Sequence, residues 1–116
     1  MNESKNDRLE FLQGTLEILI LRTLVFGPRH GYAIAQYIRE TSQEVFAVEA
    51  GSLYPALQRL ELQKLITAKW EISETNRKAR FYRLTPAGRK RLETSMSRWD
   101  EFVRAMSLVL QPEAGD

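Results

Sequence analysis

Between Leu53 and Leu110 the spacing of apolar residues changes twice, and this double change constrains the fold more than any single motif. In "GSLYPALQRLELQKLI" (residues 51–66) the leucines Leu53, Leu57, Leu60 and Leu65 fall close to helical spacing. From Ile66 the period drops to two. Ile66, Ala68, Trp70 and Ile72 alternate with Thr67, Lys69, Glu71 and Ser73, the pattern of a strand with one buried face. "SETNRK" supplies a polar turn. A second strand over 79–84 places Tyr82 and Leu84 on one face and Phe81 on the other, giving a hairpin tipped by Asn76, Arg77 and Lys78. Thr85-Pro86 then returns the chain to helix, with threonine as cap and proline at the first helical position.

Two helices are expected upstream. Apolar residues from Leu9 to Phe26 form a stripe too wide for a surface helix, so a largely buried one is predicted, stopped by Gly27-Pro28. A second helix is predicted over 31–41, with Ala33, Ile34, Tyr37 and Ile38 on its inner face. In the third, Ser52 is suited to the N-cap, Pro55 to the third helical position, and Gln63 to the end. Helix, helix, capped helix, hairpin is the order of a winged helix-turn-helix. The predicted class is α+β, mostly α: three helices and a β-hairpin wing over residues 9–84, a long C-terminal dimerisation helix over 85–111, and polar tails at 1–8 and 112–116.

Charge points to the partner. Residues 59–91 hold ten basic and three acidic side chains, a net +7, whereas the remainder carries −5 within a total of +2. A positive face of this kind suits a polyanion. In helix-turn-helix proteins the start of the recognition helix meets base edges in the major groove. Ser52, Tyr54, Pro55, Gln58 and Arg59 are therefore the candidates for double-stranded DNA. Gln58 can pair bidentately with adenine, and Arg59 with guanine or with phosphate alone. Tyr54 suits a phosphate or a thymine methyl, or else packs under the wing. Lys69, Arg77, Lys78 and Arg80 would straddle the adjacent backbone. Trp70 is expected in the core rather than as a stacking platform, and His30 either donates to a phosphate or caps the second helix.

The last helix carries Leu92, Met96, Trp99, Val103, Met106 and Leu110 at spacings of 4, 3, 4, 3 and 4, a heptad seam flanked by Phe102. A helix of about 25 residues is some 38 Å long at roughly 1.5 Å per residue, more than so small a domain can cover. The seam is expected to meet a second copy of the chain, joined by Leu12 and Leu16 of the first helix. Folding back onto the first helix is the alternative, and the two are compatible.

The sequence also resembles the PadR family of bacterial transcriptional regulators over nearly its whole length. The resemblance rests on "GTLEILILRTL", "GPRHGYAIAQYI", "GSLYPALQRLELQKLI" and "RKARFYRLTPAGRKRLE" taken together. It implies a winged-helix homodimer joined through its C-terminal helix, bound to an inverted-repeat operator and usually repressing. It places Tyr54, Gln58 and Arg59 toward the groove and the basic residues of the wing on phosphate. The match is to the short subgroup with a single C-terminal helix, which lacks the larger effector region of longer relatives. In some short relatives an aromatic of the dimer helix stacks on flat hydrophobic compounds. Met96, Trp99 and Phe102 are the corresponding effector candidates here, though the simpler and favoured reading is that they fill the dimer core.

Composition removes other classes. Cysteine is absent and His30 is the single histidine, so thiolate sites, disulfides and histidine-rich metal centres are excluded and no cofactor is expected. Nothing converges into a proton-transfer or nucleophilic set, so no enzyme is expected. No apolar run exceeds four residues, so no membrane partner is expected, and "MNESKNDRLEF" has no apolar signal region, which favours the cytoplasm. The rival reading is a winged helix used as a protein–protein adaptor or drug-binding protein with secondary DNA binding, for which a basic wing has no use.

Overall fold

The computed structural model describes residues 15–113. The first helix, α1, is helical over the described residues 15–24 and buries Leu16, Ile20, Leu21 and Leu24. Its last turn tightens through i→i+3 bonds such as Gly27 N to Leu24 O at 3.2 Å. Gly27 then takes φ +127°, a conformation L side chains rarely adopt.

A short strand, β1 (Arg29–His30), follows, and the periodicity gave no sign of it because two residues have no period. His30 ends that strand and caps α2 (Gly31–Thr41), its Nδ1 accepting from the Ala33 amide at 3.2 Å. The capping alternative for His30 is therefore the one observed. The third helix, α3, spans Ala50–Leu62, starting three residues earlier than expected. Glu49, not Ser52, is its N-cap, and the Glu49 carbonyl accepts from the Ser52 and Leu53 amides at 3.0 and 2.9 Å. With its amide already used, Ser52 lies inside the first turn, and Pro55 becomes the sixth helical residue. Pro55 therefore lies inside the helix and removes the donor to the Gly51 carbonyl, which sits at an exposed position open to water.

Both α2 and α3 end in Schellman motifs without glycine. Gln43 (φ 54°) and Lys64 (φ 61°) occupy the left-handed positions. Glu44 N donates to Arg39 O at 2.8 Å, and Leu65 N to Leu60 O at 3.0 Å. At the second of these ends the Lys64 carbonyl accepts the Thr85 hydroxyl at 2.8 Å, while that hydroxyl accepts from Gly88 N at 2.9 Å. One side chain thus caps the long helix and ties it to the end of α3.

Strands β2 (Ile66–Ile72) and β3 (Lys78–Leu84) pair antiparallel, with β1 on the other side of β3 in the order β1-β3-β2. The pairs Ile66–Leu84 and Ala68–Tyr82 face the core formed by α1, α2 and α3. Farther out, Trp70 pairs with Arg80 and Ile72 with Lys78, and here the expected burial fails: Trp70 is 60% and Ile72 63% exposed. The alternation is correct, but the hairpin outruns the helices beneath it.

Helix α4 (Pro86–Leu110) begins at the Thr85 cap and buries only Gly88 and Leu92. Its seating requires Gly88, because a Cβ there would overlap the Leu65 carbonyl and stand 2.8 Å from Leu84 Cδ1. Two expected dimer contacts are corrected by this packing. Leu16 and Leu92 are 2% and 3% exposed within the chain's own core, so neither has surface left for a partner. Leu12 lies outside the described residues.

Candidate nucleic-acid interface

Helix α3 turns Leu53, Ala56, Leu57 and Leu60 inward. At 3.6 residues per turn the opposite ridge is Gly51, Pro55, Gln58 and Leu62, all exposed. Leu62 stands on this outer ridge with 76% of its surface open. Gly51 and Pro55 keep the first turn low, leaving Gln58 as the hydrogen-bonding side chain at the ridge's centre.

Tyr54 and Arg59 flank that ridge. The Tyr54 ring lies across the start of α2, where a Cβ on Gly31 would stand 2.6 Å from its hydroxyl oxygen. About half exposed, the phenol reaches the surface beside the α2 N-terminus. Arg59 is held differently from the expectation. Its Nε donates to Glu17 Oε2 of α1 at 3.0 Å, which fixes the guanidinium between two helices at the edge of the ridge.

The wing sorts its cations by pairing. Arg80 meets Glu61 of α3 at 2.9 Å, and Arg83 meets Glu71 at 2.9 Å. Lys69, Arg77 and Lys78 are exposed and make no ion pair among the described residues. Ser73 and Arg77 close the turn, with Ser73 N donating to Arg77 O at 2.7 Å and Asn76 in the left-handed region at φ 61°. The free charge is thus concentrated at the tip, with Lys69 on the sheet's outer face beside Phe81.

Beneath the wing, Tyr82 is buried, and burial pushes its phenol above the ordinary 10.0, partly offset by the adjacent Arg80 guanidinium. The unfolded chain releases that proton first as pH rises, so the folded state binds more protons above pH 10. Stability from this group is complete below that pH and is lost as pH climbs through the folded value. Urea midpoints measured upward from pH 9 should fall faster for the parent than for Tyr82→Phe.

Sequence reasoning missed Tyr32. It is 70% exposed at the start of α2, with its ring stacked on His30 at 6.5 Å and the His30 ring set edge-on to Phe81 at 5.3 Å. This aromatic row links the α2 N-terminus to the wing. Only the pairing of β1 with β3 brings it together, and no local spacing encodes that pairing.

At the far end, α4 presents Met96, Trp99, Phe102, Val103, Met106 and Leu110, all exposed. The Trp99 and Phe102 rings stack at 5.6 Å and 29°. Among the described residues no helix is long and apolar enough to cross a membrane.

The family model described as the transcriptional regulator PadR-like family matches residues 20–94. A transcriptional regulator of Mycobacterium tuberculosis is 33% identical over 95 residues, 82% of this chain and 85% of that protein. Among solved structures, a transcriptional regulator from Clostridium thermocellum superposes with a TM-score of 0.80 at 26% identity, covering 88% of this chain and 99% of that one. A PadR family transcriptional regulator from Eggerthella lenta gives 0.78 at 27% identity, covering 97% and 96%.

Proposed function

This chain belongs to the PadR-like family of transcriptional regulators, and from that membership we propose that it is a homodimeric repressor. It binds an inverted-repeat operator through α3 and the wing. The family's members are DNA-binding regulators, not enzymes. The observation carrying the finer reading is the exposed ridge centred on Gln58, flanked by a wing whose tip carries Arg77 and Lys78, neither ion-paired among the described residues. In this reading Gln58 reads a base edge, Ser52, Tyr54 and Pro55 line the groove, and Arg59 and Arg80 lie on phosphates beside their carboxylate partners. Lys69, Arg77 and Lys78 supply the sequence-independent attraction. Residues 9–84 form the DNA-binding unit, 85–111 the dimerisation helix, and the protein works in the cytoplasm.

A two-fold pairing of α4 would cover the apolar stripe and space two wings along one duplex. The stacked Trp99–Phe102 pair with Met96 also gives that junction a flat, polarisable surface suited to a small aromatic effector that releases the operator.

The test is an anisotropy titration against a duplex that the parent protein enriches from a randomised pool. Replacing Arg77 and Lys78 together by alanine should weaken binding to every duplex alike and reduce the salt slope by about 2 per half-site. Gln58→Ala should relax preference at one base position at a cost of about 1–3 kcal/mol. Undiminished selectivity in Gln58→Ala would remove α3 from the groove. A parent protein with weak, salt-insensitive binding to all duplexes would favour the adaptor reading.

A further inference from the structure

The hairpin holds two large apolar side chains that the core does not use. Trp70 and Ile72 are more than half exposed, on the same face of β2 as the buried Ile66. That face turns toward α3, because Arg80, directly across from Trp70, reaches Glu61 in the last turn of α3 at 2.9 Å. The indole therefore stands beside the recognition helix and not on the sheet's outer side, where Lys69 and Phe81 lie. A duplex seated on the α3 ridge presents its next backbone to this side of the wing.

Charge narrows the occupant. Across the ladder Lys78 stands opposite Ile72, with Arg77 following at the turn, while Arg80 opposite Trp70 is already paired with Glu61, so the free positive charge lies toward the tip. Glu71 points to the other face and is taken by Arg83, while Glu74 lies in the turn itself. An apolar strip with cations along one edge matches a DNA backbone, whose deoxyribose rings form apolar walls bordered by phosphates. Apolar side chains set against or between nucleotides are an established mode of minor-groove binding.

We propose that Trp70 and Ile72 form an apolar DNA-facing edge of the wing, packed on deoxyribose along the minor-groove wall, while Lys78 and Arg77 hold the flanking phosphates. The assignment rests on the DNA-binding reading above and adds to it a contribution that salt does not screen. Counterion release governs the cationic contacts only, so the two contributions separate in a salt titration.

The experiment uses the full chain and a fluorescein-labelled duplex enriched by the parent from a randomised pool, titrated at several salt concentrations. Trp70→Ala should weaken binding by about tenfold with the salt slope unchanged, and Trp70→Phe should restore most of the loss. Lys78→Ala should instead reduce the slope by about 1 per half-site. In a Trp99→Phe background, where Trp70 is the remaining tryptophan, its emission should change on adding the duplex. The side chain is exposed, so circular dichroism should show Trp70→Ala folded. If Trp70→Ala binds as tightly as the parent while Lys78→Ala is weakened, the apolar edge is refuted and the DNA-binding reading stands. If Trp70→Ala flattens the slope, the indole only positions cations, and the assignment is equally refuted. If the parent binds no duplex selectively, both readings fall.

Discussion

Gly88→Ala is expected to lower the melting temperature by roughly 10–15 °C, the largest stability effect anticipated for a change this small. A methyl group at this position would overlap the Leu65 carbonyl oxygen, which accepts from Thr85 N at 3.1 Å. The colliding atom is backbone, held by the α3 Schellman motif on one side and the Thr85 cap on the other, so it has no rotamer into which to escape. Overpacking of about 1–3 kcal/mol combines with disturbance of a cap worth about 1 kcal/mol, for a loss on the order of 3 kcal/mol. A thermal melt followed by circular dichroism checks this. A melting point within two or three degrees of the parent's, about the shift of 0.5 kcal/mol, would mean that α4 can shift on the core without cost.

Trp99→Glu is expected to turn a dimer into a monomer in light scattering at concentrations where the parent stays paired. In the single chain Trp99 is 36% exposed and stacked on Phe102. The substitution should therefore leave the protomer's helicity intact. Across a two-fold contact each substitution counts twice, and a buried aromatic anchor carries about 2–4 kcal/mol. The dissociation constant should rise by roughly a thousandfold or more. Affinity for a duplex bearing two half-sites should fall with it, while a single half-site is bound as before. Trp99→Phe should keep the dimer. A Trp99→Glu protein that remains dimeric would place the contact elsewhere on the surface.

The heptad in α4 illustrates how pattern and position part company. Its spacing identified the whole apolar stripe, from Leu92 to Leu110. Spacing cannot say which of its members lie beyond the reach of the core. Leu92 is within reach and buried, whereas Trp99 is one helical turn past Ser95, the last half-buried residue. Leu16 was likewise consumed by the chain's own packing.

Four helices and the two hairpin strands were legible from local periods, because each apolar face must be buried somewhere, whereas the two-residue β1 left no period to read. The sequence by itself also determined the Thr85-Pro86 start of α4 and the concentration of positive charge over residues 59–91, which are properties of adjacent residues. Tertiary structure decided everything that depends on distance across the chain. It closed α2 and α3 through Gln43 and Lys64, side chains that carry no turn signal. It tied Arg59 to Glu17, Arg80 to Glu61 and Arg83 to Glu71, so that Lys69, Arg77 and Lys78 are the wing cations without an ion pair among the described residues. Finally, it left Trp70 in solvent, because strand alternation fixes which face a side chain takes but not how far the supporting helices extend beneath it.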